Sequence, residues 1–282
     1  MRQRSATIVE LWRYPVKSMQ GERLQSVSLD ASGFAADRRF GVVTPEGFVL
    51  SGKSEPRILG ASASVRTDGE IEIELPHGVR TASDDPDVDA LLSAWLDRPL
   101  RLHRAAGDEQ FTIHHHTDPE DETKTKDFST PPGAYYDSRS TVHLLSHSSL
   151  HAAGAAYREG QWDVRRFRPN IVVSFGNGAF GNGAFGDDEG GFVEEAWVGA
   201  TVALGAVPAL VRKRTERCVL TTRAQPGLDR DLQIYRSLVK SNHANLGIYL
   251  VPQAAGTIAV DDTVSAVSRA AASTPTSEVS AS

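Results

Sequence analysis

The sequence predicts a mainly β protein with a few helices, an α+β chain in two parts. Three observations point there. Short β-favouring runs recur from Ala6 to Leu75, broken by turn signals at Ala31-Ser32-Gly33, Pro45-Glu46-Gly47 and Thr67-Asp68-Gly69. Helical signals fall in the windows Asp87 to Leu96, Ser146 to Tyr157 and Gln233 to Lys240. Strand signals return at Asn245 to Val251 and Gly256 to Val264. At 282 residues the chain can hold two modest cores, because a single core stops growing near ~250–300 residues.

In chain order, Ala6 to Trp12 alternates apolar and polar residues and reads as a strand that stops at Tyr14-Pro15. Pro15 fixes its own φ and extends Tyr14, which leaves Lys17 and Ser18 on the following loop, where an ammonium and a hydroxyl suit an anion. Leu24 to Leu29, Arg39 to Val43, Phe48 to Ser51, Ala61 to Arg66 and Glu70 to Leu75 follow as strands, a spacing that suits a small barrel or sandwich. The helix at Asp87 has Asp84 or Asp85 as its cap and Pro86 at its first position, with Val88, Leu91, Leu92 and Trp95 on one face. Gly107 to Gly133 is polar and reads as an exposed linker or lid. Its run His114-His115-His116 cannot face one metal from a strand, because alternate side chains point to opposite faces.

A strand recurs at Thr141 to Leu145, and Ser146 or Ser148 starts the second helix. Pro169 is read as starting an extended strand that Ile171 to Val173 bury, with Arg168 and Asn170 alternating onto one face as a forked donor array. Arg166 reads as a structural ion pair. The duplication Phe175-Gly176-Asn177-Gly178-Ala179 and Phe180-Gly181-Asn182-Gly183-Ala184 reads as an expanded surface loop, and Asp187-Asp188-Glu189 behind it would repel a phosphate. Phe192 to Leu204 carries strand-like segments around Trp197. In the third helix Ile234, Leu238 and Val239 point inward, and the Ala, Ser and Thr-rich end after Arg269 reads as disordered.

Composition excludes several classes. A net charge of −6 with 40% hydrophobic and 23% charged residues describes an ordinary soluble globular protein rather than a general nucleic-acid binder. No run of ~18 apolar residues marks a membrane span, and Met1 to Thr7 lacks the apolar core of a signal peptide, so the expected location is cytoplasmic. The single cysteine, Cys218, can form no internal disulfide and cannot supply the thiolates of an iron–sulfur cluster. It follows the basic run Arg212-Lys213-Arg214 and touches Arg217. Fixed positive charge favours the thiolate, the form that attacks and that binds soft metals. The plainer alternative is a small buried hydrophobe.

Four segments stand in a telling order: Tyr14-Pro15-Val16-Lys17-Ser18-Met19, Asp37-Arg38-Arg39-Phe40, Arg166-Phe167-Arg168-Pro169-Asn170 and Arg217-Cys218-Val219-Leu220-Thr221-Thr222. Together they resemble the MOSC (molybdenum-cofactor sulfurase C-terminal) family, in its two-part members, from about Ile8 to Val264. The resemblance implies an N-terminal β-barrel domain over residues 6–104 packed on a MOSC β-barrel domain over 134–268, with a linker or lid at 105–133 and a tail at 269–282.

It also implies a molybdenum cofactor, a pterin whose dithiolene holds molybdenum and which ends in a phosphate. Cys218 matches the thiolate that completes the metal in reducing members, so the resemblance makes it both catalytic residue and metal ligand. Lys17, Ser18 and Arg38 match cofactor-gripping positions of the first domain, and Ser140, Arg168 and Asn170 those of the second. One position departs: two before the cysteine, mammalian members carry a small polar residue and this chain carries Glu216. That carboxylate is expected to turn away or to pair with Arg217 or Lys213. The implied activity is reduction of N-hydroxylated small molecules, with electrons from a separate reductase, ferredoxin or cytochrome-type protein, since one cysteine cannot support a fused cluster domain. Sulfur transfer through a persulfide on Cys218, and non-catalytic carriage of the cofactor, are the alternatives. No nucleic acid or membrane is expected as a partner.

Overall fold

The computed structural model describes residues 5–116, 121, 123–136, 141–176 and 191–269. Ser140, the glycine-rich duplication from Asn177 onward, the side chains of His115 and His116 and the tail beyond Arg269 lie outside the described residues.

The first half contributes β1 (Ser5–Arg13), β2 (Glu22–Leu24), β3 (Ser26–Asp30), β4 (Gly33–Phe34), β5 (Phe40–Val43), β6 (Phe48–Val49), β7 (Ser62–Val65), β8 (Ile71–Glu74), β9 (Arg80–Ala82), α1 (Val88–Leu96), β10 (Arg101–Arg104), β11 (Thr112–His116) and β12 (Thr125–Ser129). The second half adds β13 (Val142–Ser146), α2 (His147–Ala156), β14 (Ile171–Phe175), β15 (Ala200–Leu204), β16 (Val207–Glu216), α3 (Leu232–Asn242), β17 (Asn245–Pro252), β18 (Gly256–Ala259) and β19 (Thr263–Arg269). The protein is thus mostly β.

Seven strands close a barrel in the order β1, β14, β13, β17, β16, β15, β19 and back to β1. Alternation drives the closure. Along β16, Val207, Ala209 and Val211 face inward, where they meet Ile8, Leu11, Leu144, Ile171, Val173, Val202, Leu204, Ile248, Leu250 and Val264. Closure also leaves no unpaired edge over that core. The strand that seals it is the N-terminal one: Leu11 lies opposite Ile171 and Ala6 opposite Val264.

The chain then leaves the barrel at Arg13 and enters a second layer of small sheets, β10-β5-β6-β11-β12 and β7-β8-β9. Their shared core gathers Val42, Leu50, Ile58, Ile71, Ile73, Leu92 and Leu96. Val16 bridges Phe40 and Gln20 bridges Ser62, so the loop carrying Lys17 and Ser18 runs along the seam between the two layers. β18, from the far end of the chain, pairs with β3. α2 and α3 pack outside the barrel over Leu145, Phe167 and Leu246.

Several expectations differ in detail. Leu24 to Leu29 is two strands, because β2 pairs with β1 and β3 with β18, and the chain changes sheet between them. Gly107 to Gly133 is more than loop: β11 runs parallel to β6 and pairs with β12, so part of this polar stretch extends the five-stranded sheet. Val193–Trp197 is a 3-10 turn rather than strand. α1 begins at Val88, two positions after Pro86, and Asp87 occupies its cap position without a side-chain hydrogen bond. Ser146 caps α2 by accepting from Ser149 N at 3.0 Å. Ile234 and Leu238 are buried, but Val239 is 44% exposed, one residue past the inward stripe.

Candidate functional site

A cavity of about 420 Å³ opens at the seam between the barrel and the second layer. Lys17, Ser18, Arg38, Arg168, Asn170 and Cys218 all line it. Segments separated by more than a hundred positions therefore meet there, and Ser140 is the one candidate whose position is not described, although its neighbour Thr141 lines the wall.

Three of these residues hold a backbone conformation that side chains disfavour: Ser18 (φ 68°), Arg38 (φ 51°) and Arg168 (φ 52°). Each such non-glycine position costs on the order of 1–3 kcal/mol, and such strain gathers at ligand-binding sites. Surrounding bonds hold it in place. Arg38 N donates to Tyr14 O at 2.8 Å and Ser18 Oγ accepts from Gly52 N at 2.9 Å. A Cβ at Gly52 would stand 2.7 Å from Leu220 Cδ1 and 2.9 Å from Leu59 Cγ, so either side chain would have to shift to admit one.

Asp37 organises this floor, and the sequence shows it only as the neighbour of Arg38. Fully buried, it accepts from Tyr14 N at 2.7 Å, Tyr136 Oη at 3.1 Å and Asn170 Nδ2 at 3.1 Å, and it pairs with the Arg38 guanidinium. One carboxylate thus ties both layers together. Burial and the Asp37 charge hold the Tyr136 phenol neutral, its pKa well above the usual tyrosine value.

Arg38 stacks over Tyr14 at 4.8 Å, and Arg168 covers the same ring at 4.2 Å while donating to Met19 O at 2.7 Å. Arg168 and Asn170 do not alternate along a strand, because β14 starts only at Ile171 and Arg168 is left-handed. Asn170 is also no free donor. Its amide gives to Trp12 O and Asp37, and its carbonyl accepts from His143 N at 3.2 Å. It acts as a bolt between layers.

Cys218 follows the end of β16 and precedes a 3-10 turn, Val219–Thr222, whose Thr221 N and Oγ1 both donate to Cys218 O. The thiol is half-buried. The turn is fixed from beneath by Arg166, whose guanidinium donates to the carbonyls of Gln161, Thr221, Arg223 and Asp229. Arg166 is therefore a structural clamp held by carbonyls, where an ion pair was expected. Of the basic run before the cysteine, Lys213 lines the cavity while Arg214 faces Glu195 at 3.5 Å. Arg217 also lines it, donating to Phe167 O at 2.8 Å, and desolvation lowers its pKa.

Among the described residues the lining carries Lys17, Arg38, Lys53, Arg168, Lys213 and Arg217 against the one carboxylate of Glu216, together with the rings of Phe128, Tyr135, Tyr136, Phe167, Tyr235 and Tyr249. Two buried wall atoms, Arg217 Nε and Thr141 Oγ1, have no hydrogen-bond partner among the described residues. A site built this way suits a ligand that is both anionic and planar.

His143 contributes a neutral wall. Burial, reinforced by the Arg217 charge, pushes its pKa well below the usual imidazole value, and its Nε2 meets Leu246 O at 3.3 Å. Gly247 (φ 82°) makes room for it, since a Cβ would fall 2.5 Å from that Nε2. A pH dependence follows. Below about pH 6.5 the unfolded chain takes up a proton that folded His143 refuses, so stability falls as pH drops through this range. Urea midpoints measured from neutral pH to about pH 5 should decline, and His143→Gln should flatten that decline. Equal slopes for the two proteins would exclude this assignment.

The chain matches two family models in sequence order. The MOSC N-terminal beta barrel domain covers residues 5–94 and the MOSC domain residues 114–265, more than half of the chain. The chain belongs to the MOSC family. Mitochondrial amidoxime-reducing component 1 of Mus musculus is similar at 26% identity over 248 residues, 78% of this chain, and the chain spans 66% of that relative's length. Among solved structures, the YuaD protein of Bacillus subtilis aligns at a TM-score of 0.47 and 8% identity, covering 94% of this chain and 97% of that one. YiiM from Geobacillus stearothermophilus aligns at 0.32 and 13%, over 52% and 69% respectively.

Within this MOSC chain, sequence reasoning missed Asp37, His143 and the aromatic lining, and it read Arg217 only as a charge beside Cys218. Asp37 and Arg217 each adjoin a residue the motifs picked out. Nothing local marks His143, Tyr235 or Tyr249, which only the folding of the barrel and α3 brings to the cavity. Among the described residues no helix is long and apolar enough to cross a membrane.

Proposed function

We propose that this chain holds a molybdenum cofactor in the 420 Å³ cavity and works as an oxidoreductase on N-hydroxylated small molecules, with electrons from a separate protein. The observation that supports it is one cavity shared by a half-buried thiol and a cationic, aromatic floor. A soft sulfur donor suits molybdenum, and fixed guanidinium groups suit a pterin phosphate. Arg217 Nε and Thr141 Oγ1, without a hydrogen-bond partner among the described residues, are what an anionic, oxygen-rich ligand would satisfy. Among the described residues no group of three or more His, Cys, Asp or Glu side chains gathers, so a metal here would bring most of its own ligands, as a dithiolene does.

When bound, the cofactor supplies a metal centre that gains and loses two electrons and takes up an oxygen atom. Cys218 would give it one thiolate ligand. Lys17, Arg38 and Arg168 hold negative charge on the floor, Ser18 adds a hydroxyl, and Asn170 and Asp37 keep Arg38 aligned. The aromatic walls narrow the approach and exclude water. The net reaction breaks an N–O bond: R–NHOH, two electrons and two protons give R–NH2 and water.

The test is molybdenum and pterin analysis of protein made in a host able to synthesise the cofactor, followed by assay of N-hydroxylated compounds with a reduced viologen as donor. Near-stoichiometric molybdenum with turnover is the expected result. Stoichiometric cofactor without turnover would make the chain a carrier. Absence of metal, with cyanide-labile sulfur on Cys218, would move the assignment to sulfur transfer.

A further inference from the structure

We infer that Tyr14 is a positioning residue: its ring sets the guanidinium groups of Arg38 and Arg168 side by side as one anion-binding pair on the cavity floor. The inference rests on the cofactor reading for the identity of the anion and on the geometry of the ring for the device itself.

Tyr14 is 1% exposed, and the two arginines that cover its ring both line the cavity. Arg38 Cζ stands 4.8 Å from the ring centroid and Arg168 Cζ 4.2 Å. Arg38 comes from the segment before β5 and Arg168 from the segment before β14, so the ring is a surface that two distant parts of the chain share. Like charges gathered this way repel each other, and the negative face of a desolvated ring offsets that repulsion. Arg38 Nη2 also donates to Arg168 O at 3.4 Å, which ties the two segments directly. The ring is itself held in place: Trp12 stacks on it with centroids 6.4 Å apart and planes inclined by 13°. Trp12 in turn donates from Nε1 to Glu10 at 2.6 Å and lies under Arg23 at 5.5 Å.

A guanidinium has a flat face and an edge of N–H donors. With its face laid on a ring, the direction of that edge is fixed before any ligand arrives. The rotamer freedom of two long side chains is then lost on folding, and it is not lost again on binding.

The backbone of Tyr14 has a separate task. Its O accepts from Arg38 N at 2.8 Å and its N donates to Asp37 at 2.7 Å, bonds that any side chain at this position would leave in place. The hydroxyl takes no part in holding the pair. Among the described residues Tyr14 Oη has no hydrogen-bond partner, and burial pushes the phenol well above the usual tyrosine range, so it stays neutral. What remains is the aromatic face, and phenylalanine would keep it.

The experiment titrates inorganic phosphate by calorimetry into the whole chain, made in a host unable to synthesise the cofactor, for wild type, Tyr14→Phe and Tyr14→Leu. Tyr14→Leu should bind phosphate about tenfold more weakly, the span expected when two arginine side chains regain their freedom. Tyr14→Phe should stay within about twofold of wild type. Phenylalanines of increasing fluorine content at position 14 keep the ring and drain its face, so affinity should fall stepwise along that series, as a space-filling role would not require. The series decides the matter even if Tyr14→Leu does not fold. Unchanged affinity in Tyr14→Leu, a loss in Tyr14→Phe as large as in Tyr14→Leu, no response to fluorination, or no phosphate binding by wild type would each overturn the positioning role. In parallel, molybdenum and pterin retained through dialysis by protein from the cofactor-competent host should fall in Tyr14→Leu and persist in Tyr14→Phe. A ring-dependent phosphate affinity in a chain that never holds molybdenum would leave Tyr14 its role and remove the cofactor reading; stoichiometric molybdenum that Tyr14→Leu leaves untouched would do the reverse.

Discussion

Asp37→Asn should destabilise the protein by about 3 kcal/mol, the lower end of the range for breaking a buried ion pair, and should strip the cavity of its capacity to retain an anionic ligand. The substitution keeps the shape and removes the charge. Arg38, only 15% exposed in its side chain, would be left partly buried without its counter-charge. The Tyr136 hydroxyl and Asn170 amide would then meet an amide where they now meet a carboxylate. Because those partners come from both layers, the loss falls on the seam that holds Ser18, Arg38 and Arg168 in their left-handed conformations. Urea midpoints would read the stability change, and molybdenum content of purified protein the retention. The double variant Asp37→Asn/Arg38→Gln separates the two, since removing both charges should recover part of the stability and none of the retention. Full retention in Asp37→Asn would remove Asp37 from the positioning of this site.

Cys218→Ser should abolish reduction while leaving the fold nearly intact. The thiol is half-buried, and neither of the hydrogen bonds that fix its turn uses the sulfur; both end on Cys218 O. A hydroxyl of nearly equal size fits the same space, so stability should stay within about 1 kcal/mol. Hydroxyl oxygen is a hard, weak donor where a thiolate is soft and strong. The loss of turnover should therefore exceed the ~10–100-fold range typical of changes one shell further out. Single-turnover reduction of an N-hydroxylated compound, alongside thermal unfolding, tests both halves. Unchanged turnover in Cys218→Ser would sink the reductase and sulfur-transfer readings together.

Much of the site was legible because its residues sit in short motifs. Lys17 and Ser18 follow a proline that launches their loop, and Cys218 follows a basic strand end. The roles within the site were less legible. Asn170 reads as a donor for a ligand and is instead a bolt between layers, because its amide lies within reach of Trp12 O and Asp37. Arg166 reads as half of an ion pair and is instead wrapped by four carbonyls from three loop segments. A side chain's residue type limits what it can bond to, while its partner is decided by what the fold places beside it.

The same division holds for the fold. Alternation in Ala6 to Trp12 and in the closing segments, turn residues between short runs, and the apolar stripe of α3 are local properties, and they were enough to announce a β-rich protein with a few helices. Periodicity tells which face of a strand is apolar and is silent on which strand lies next to it. That β1 would cross over to seal the barrel between β14 and β19, that β11 would lie along β6, and that Asp37 would meet Asn170 were decided by packing between residues far apart in the chain. Such contacts form only when burying two apolar faces together repays the entropy of closing a long loop, a balance set by the whole structure.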